Sequence, residues 1–409
     1  MRPYCVLLHR YVGLATAVFL AVAGLTGAVL VWYHELDALL NPHWLRTAPP
    51  TSTAQPLDPL VLRERVAQAY PGARVNHVLL HREPGTSASF HLTAPPGGKD
   101  AAPPENEVFV DPYRGKILGA RRWGALSHGI HNLLPFLYQL HFALALDDLG
   151  LLLMGVVAVL WTADCFIGAW LTFPAPARGS NRPQRSWWQR WRLAWQVRRT
   201  GGAYKLNHDL HRAGGLWLWG MLLVLALSSV SFNLPQLYQP VMRTLLGMQA
   251  DAPPSPRPAP AASAPVMNWT TARATGEQHM ARLAKAEGLT VLRAESLQFD
   301  PSAATFRYRV RSNRDVGTRA PRTDVVFDAT SGELLFSFVP TGKAAGDTVT
   351  AWLTSLHTAD LWGLPFRLFI TLTGLIVSTL SATGIYLWWK KRAARIAAIR
   401  GRRPGAPVR

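Results

Sequence analysis

"DLHRAGGLWLWG", Asp209 to Gly220, sets a histidine and an arginine at the head of a membrane-length apolar run. "LLHRYVGL", Leu7 to Leu14, does the same earlier in the chain. Leu8-His9-Arg10 aligns with Leu210-His211-Arg212, and Gly13-Leu14 with Gly215-Leu216, at one offset of 202 residues. Polar groups at membrane depth are costly and are kept for function. A repeated His-Arg pair in that setting points to a duplicated membrane protein with a histidine-based site.

Working outward, four segments are long and apolar enough to span a bilayer, which takes about 20 residues. They are Val12–Tyr33, Leu149–Phe173, Ala213–Leu234 and Leu361–Trp389. Aromatic residues mark their ends, as at Trp32-Tyr33 and Trp388-Trp389, which suits interfacial anchoring. The net charge of +19 could suggest nucleic acid, but its placement argues against that partner. Arg178, Arg182, Arg185, Arg190, Arg192, Arg198, Arg199, Lys205 and Arg212 crowd one connection, against Asp209 alone. Lys390, Lys391, Arg392, Arg395, Arg400, Arg402, Arg403 and Arg409 follow the last apolar run without an acid. With Arg2 and Arg10, the excess lies on one side of a four-span chain, and the positive-inside rule makes that side the cytoplasm.

The expected architecture is an α-helical membrane protein: a four-helix transmembrane bundle with two periplasmic α+β domains, built by internal duplication. Its parts are span 1 in 1–34, an outer domain at 35–140, a histidine segment and span 2 at 141–173, and a basic cytoplasmic loop at 174–212. Span 3 follows at 213–234, then a second outer domain at 235–350, a histidine segment and span 4 at 351–389, and a basic tail at 390–409. The expected location is a bacterial inner membrane, in contact with lipid, with both termini cytoplasmic. The first apolar run exceeds a signal-peptide core and no clear cleavage site follows, so it reads as an anchor. Cys5 and Cys165 both fall outside the outer domains, which leaves those domains without a disulfide framework.

The outer connections repeat as well. "VFVDPYRGKIL" (108–118) and "VVFDATSGELL" (325–335) each read as strand, D-x-x-x-G turn, strand. A helical segment precedes each, "DPLVLRERVAQAY" and "ATGEQHMARLAKAEG". "LYQLHFALALDDLG" and "LTSLHTADLWG" pair His141 with His357, 216 residues apart. Pro- and Ala-rich stretches at 47–59 and 251–265 read as flexible leads, and Thr93–Pro104 as a loop interrupting the first sheet.

Thirteen histidines occur, and most, such as His77, His81, His91 and His279, read as ordinary residues of the outer domains. Four stand apart: His9 and His211 at the inner edge of spans 1 and 3, His141 and His357 outside spans 2 and 4. Two imidazoles from facing helices can hold a b-type haem. Gly13 and Gly215 each follow a histidine by one helical turn, on the same face, and leave room for a flat macrocycle. Arg10 and Arg212 could meet its propionates or reach toward lipid phosphates. Ala145 and Leu361 occupy the matching positions of the outer pair, where the volume argument is weaker.

Competing readings exist for each. A single histidine at a span end also serves as an interfacial anchor. His208 and His211 stand at i, i+3 and could pair on a metal, although no HExxH or Cys-rich zinc pattern occurs. His34 could replace His141 or His357 as an outer ligand, or support one. Asp164, alone within span 2, could bond a neighbouring helix, orient a ligating imidazole or carry a proton.

These strings resemble the PepSY-associated transmembrane family. "LHRYVGLATAVFLAVAGLTGAVLVWYHELD" is similar to its opening helix, and the outer α+β units resemble PepSY domains. "LPFLYQLHFAL", "LWTADCFIGAWLTFP", "SWWQRWRLAWQVR" and "YKLNHDLHRAGGLWLWGMLLV" resemble the FoxB-type inner-membrane ferri-siderophore reductases within it. The resemblance covers nearly the whole chain. It implies two b-type haems held by His9, His211, His141 and His357, and electrons passed outward to a ferric siderophore. No Rossmann-type G-x-G-x-x-G is apparent, so the donor would be a quinol or a separate reductase. Reduction of chelated Fe(III) needs a docking surface rather than an acid, base or nucleophile. Arg121, Arg122, Trp123 and Arg367 are candidates for it. One rival reading is a non-enzymatic envelope protein whose PepSY-like domains bind or restrain a partner. Another is an iron or siderophore transporter, which would call for paired broken spans that the sequence does not display.

Overall fold

The structure, a computed structural model, describes residues 1–94, 103–175, 186–250 and 266–401. The 251–265 lead, most of the Thr93–Pro104 loop, and Arg178, Arg182, Arg185, Arg402, Arg403 and Arg409 lie outside the described residues.

In chain order, α1 (Arg2–Leu30), α2 (Tyr33–Leu40), α3 (Pro42–Leu45) and α4 (Pro59–Ala69) precede strands β1 (Arg74–Val75), β2 (His77–Leu79), β3 (Ala88–Thr93), β4 (Glu107–Val110) and β5 (Ile117–Arg121). Helices α5 (Leu133–Ala143), α6 (Asp147–Thr172), α7 (Trp187–Trp191), α8 (Gly202–Trp217), α9 (Trp219–Asn233), α10 (Pro235–Leu246) and α11 (Trp269–Glu287) follow. Strands β6 (Val291–Asp300), β7 (Thr305–Ser312), β8 (Thr323–Asp328) and β9 (Leu334–Phe338) lead to α12 (Ala345–His357) and α13 (Gly363–Gly401). The chain divides into two compact units, a helical one of 1–31, 139–238 and 364–409, and an α+β one of 32–138 and 239–363.

In the helical unit, α1, α6 and α13 are each long and apolar enough to cross a membrane. Helices α1 and α9 pack on α6. Small residues bring α1 and α13 together: Ser378 Oγ donates to the Ala21 carbonyl at 3.0 Å, and Gly24 and Gly374 meet backbone to backbone. Close approach over small residues is how helices associate where lipid removes the hydrophobic drive.

The third expected span, 213–234, is not one straight helix. Helices α8 and α9 qualify as a span only together, across a 70° bend. Leu218 leaves helical geometry between them (φ −107°, ψ 8°). Gly214, Gly215 and Gly220 flank the bend and weaken the ladder there. The indoles on either side bond different neighbours: Trp217 Nε1 donates to the Trp195 carbonyl at 3.1 Å, and Trp219 Nε1 to the Cys165 carbonyl at 2.9 Å. The expectation of unbroken spans therefore fails here. Helix α1, by comparison, runs without a break through Gly13.

The α+β unit holds two antiparallel sheets, ordered β1-β3-β4-β5 and β2-β6-β7-β8-β9. Both D-x-x-x-G stretches fold as expected. Asp111 Oδ1 accepts from Tyr113 N at 2.8 Å and Asp328 Oδ1 from Thr330 N at 2.9 Å, while Gly115 (φ 67°) and Gly332 (φ 76°) take the left-handed position. Helix α4 is capped by Asp58 and α11 by Asn268, and each lies on a core of aliphatic and aromatic residues. The first sheet's strand run divides at Asn76. Val75 pairs with Leu92, whereas Val78 pairs with Leu297 of the other sheet. The two outer domains read from the sequence thus share a strand segment within one compact unit.

Candidate functional site

A cavity of about 430 Å³ opens within the helical unit, in the size range of small-molecule and cofactor sites. His9 of α1 and His211 of α8 both line it, with ring centroids 6.1 Å apart and ring planes at 59°. An imidazole nitrogen bonds a metal at about 2 Å, so two rings on opposite sides of one ion have centroids about 6 Å apart.

The hydrogen bonds assign the proton on each ring. His9 Nδ1 donates to Asp164 Oδ1 at 2.8 Å. His211 Nδ1 donates to the Leu380 carbonyl and to Thr383 Oγ1, both at 3.1 Å. Thr383 spends its own hydroxyl proton on the Thr379 and Leu380 carbonyls, so its oxygen accepts from the ring. His141 repeats the pattern: its Nδ1 donates to Thr26 Oγ1 at 3.0 Å, and that hydroxyl donates to the Val22 carbonyl. With Nδ1 committed, Nε2 carries the lone pair. Metal-ligating histidines are oriented this way by carboxylates and carbonyls.

Glycines give the rings their space. A Cβ at Gly168 of α6 would stand 3.4 Å from His9 Cε1, one at Gly384 of α13 3.4 Å from His211 Cε1, and one at Gly27 3.0 Å from His141 Cε1. Gly13 and Gly215 line the cavity, and a Cβ at Gly215 would meet nothing within 4 Å. Sequence reading found Gly13 and Gly215 but missed Gly168, Gly384, Gly27, Thr26 and Thr383. One signal was present: Gly168 and Gly384 are 216 residues apart, as are His141 and His357.

Cations gather at one side of the cavity and apolar residues at the other. Arg2, Arg10, Arg212 and Lys391 line it, as do Leu20, Leu222 and Val377, and Asp164 is the sole carboxylate among the described lining residues. Arg2 caps the end of α6 through the Leu171 and Phe173 carbonyls. Arg212 is committed too, to the Leu193, Ala194 and Gln196 carbonyls and to buried Asp209, which Arg198 also pairs. Arg10 and Lys391 make no hydrogen bond or ion pair among the described residues. They are the cations open to an anionic group. His208 also lines the cavity, with Nδ1 3.4 Å from Asp209 Oδ1.

The remaining predicted residues lie elsewhere. His141, on α5, belongs to the helical unit, while His357, ending α12, and His34, exposed at the start of α2, belong to the α+β unit. Arg121 is not a docking residue: it is 2 % exposed and pairs with Asp37 at 2.9 Å and Glu107 at 2.6 Å. Arg367 donates to the Val31 carbonyl at 2.7 Å.

Among the described residues no group of three or more His, Cys, Asp or Glu could hold a metal ion alone. Two imidazoles across an apolar, cation-rimmed cavity suit a flat group that brings its own equatorial ligands and acidic substituents. The spacing of His9 and His211, the free Nε2 on each ring and the cations among the lining residues are compatible with a b-type haem. No curated protein matches the chain. Residues 6–391 match the family of the PepSY-associated TM region, and the chain belongs to that family.

Proposed function

We propose that this protein is a di-haem electron carrier of a bacterial inner membrane that reduces Fe(III) bound to a siderophore on the periplasmic side and releases Fe(II). The observation that carries the reading is the His9–His211 pair, 6.1 Å apart with both Nδ1 atoms engaged. In this account the chain is a tandem duplication with four spans, the α8–α9 pair counting as the third, and both termini are cytoplasmic. His9 and His211 hold the inner haem b, and His141 and His357 the outer one, with His34 the competing outer ligand.

When bound, such a group supplies a one-electron Fe(III)/Fe(II) couple. The protein's own residues orient and shield it. Asp164, Leu380 and Thr383 fix the inner rings. Gly13 and Gly215 would leave room for the macrocycle, and Arg10 and Lys391 would neutralise its propionates. Histidine pairs near opposite faces would shorten each electron hop across a hydrocarbon core of about 30 Å. A quinol or a separate reductase supplies the electrons. On the outer side, Fe(III) gains one electron, and the hard oxygen ligands of the siderophore hold Fe(II) more weakly. No acid, base or nucleophile is required.

The test mixes chemically reduced, haem-loaded protein anaerobically with ferric siderophore and an Fe(II) trap. The haem should reoxidise as trapped Fe(II) accumulates one for one. Haem that stays reduced with several ferric siderophores contradicts the reductase reading.

A further inference from the structure

The two inner histidines are held by unlike partners, although their surroundings otherwise match. Asp164 and Gly168 stand one turn apart on α6 and face His9. Leu380 and Gly384, each 216 residues later, stand one turn apart on α13 and face His211. At the first position the acceptor is a side-chain carboxylate. At the second it is the backbone carbonyl of an apolar residue, supplemented by a hydroxyl. A backbone carbonyl is available at any helix position whose own bond is loosened, whereas a carboxylate within an apolar span carries a large desolvation cost. Asp164 is 9 % exposed, and its one hydrogen bond among those resolved is to His9, so this bond is what offsets the cost of burying it.

We propose that Asp164 is a positioning residue that makes His9 the more electron-donating of the two inner ligands and so lowers the reduction potential of the inner centre below that of the outer one. This rests on the haem reading above. A carboxylate accepting the Nδ1 proton raises the basicity of the imidazole, which favours the ferric state of an iron bound at Nε2. His141, by contrast, has only neutral acceptors, the hydroxyl oxygen of Thr26 at 3.0 Å and the Ala23 backbone carbonyl, both weaker than a carboxylate. The difference sets the inner centre as the low-potential partner. Electron flow from the inner to the outer centre then runs downhill. The asymmetry would give the protein its direction, independent of any change in shape.

The experiment is redox titration of full-length protein in detergent, followed at the reduced α-bands, for wild type, Asp164→Asn and Asp164→Glu, with low-spin ferric EPR of the same samples. Wild type should show two transitions. Asp164→Asn should move the lower one upward and shift its EPR signal, leave the upper one in place, and Asp164→Glu should return both toward wild type. If Asp164→Asn instead loses the low-potential centre alone, recovery of that centre in Asp164→Glu supports the proposal and non-recovery contradicts it. Haem-loaded Asp164→Asn with an unmoved lower transition, or a moved upper one, overturns the inference and leaves the haem reading intact. Wild-type protein without haem overturns both.

Discussion

Gly24 of α1 and Gly374 of α13 meet so closely that a Cβ on either would stand 2.5–2.6 Å from the other's carbonyl oxygen. Backbone cannot yield there as a flexible side chain could. Gly24→Val or Gly374→Val should therefore separate the two helices and destabilise the helical unit by about 1–3 kcal/mol. Thermal unfolding in detergent measures it. Unchanged melting in both variants would show that the helices do not cross at this point.

The glycines facing the rings predict a graded series. Alanine at Gly168 or Gly384 adds a methyl at 3.4 Å from Cε1, an ordinary contact, whereas alanine at Gly27 places one at 3.0 Å from His141. Gly168→Ala and Gly384→Ala should be tolerated. Gly27→Ala should displace His141, and Gly168→Leu should displace His9. Absorption spectra of the purified variants rank them, and equal effects from Gly27→Ala and Gly168→Ala would contradict the ordering.

Burial, with His91 and Arg309 nearby, lowers the pKa of His77 in β2 from 6.5 to about 4. As pH falls below 6.5, the unfolded chain takes up a proton that the folded strand refuses. Stability from this group is complete above pH 6.5, falls through the window down to about 4, and is level below it. Denaturation at pH 7 and pH 5 should show a smaller loss in His77→Gln than in wild type. Parallel losses would show that His77 titrates normally.

Arg121 offers a sharper test of the α+β unit. It bridges Asp37 and Glu107, which lie far apart in sequence and are both buried. Arg121→Ala leaves two buried carboxylates unpaired and should cost about 3–5 kcal/mol. Chemical denaturation measures the loss, and adding Asp37→Asn and Glu107→Gln should recover part of it. An effect below about 1 kcal/mol, the value of an exposed pair, would contradict the burial.

Local patterns carried well from sequence to structure, and distant pairings did not. The D-x-x-x-G turns at Asp111 and Asp328 and the helices α4 and α11 follow from capping and turn chemistry within a few residues. His9, His211, Gly13 and Gly215 were legible because the chain states the motif twice. The exchange of Val78 into the second sheet depends on Leu297, more than 200 residues away, and nothing local marks it. The 70° bend at Leu218 was hidden because hydropathy averages over α8 and α9, whose direction is set by Trp217 and Trp219 bonding different helices. The arginines misled most. From sequence Arg121 reads as a docking candidate and Arg212 as a partner for propionates or lipid phosphates, yet one is sealed among carboxylates and the other is clamped to three carbonyls.

Haem content of the purified protein tests the central claim most directly. Wild type, expressed with haem supplied, should show a Soret band and a sharp reduced α-band, with two haems per chain by pyridine haemochrome assay. His9→Ala and His211→Ala should each lose one haem, the same one, and retain the other's spectrum. Colourless wild-type protein, or full haem content with unshifted bands in both variants, would contradict the account.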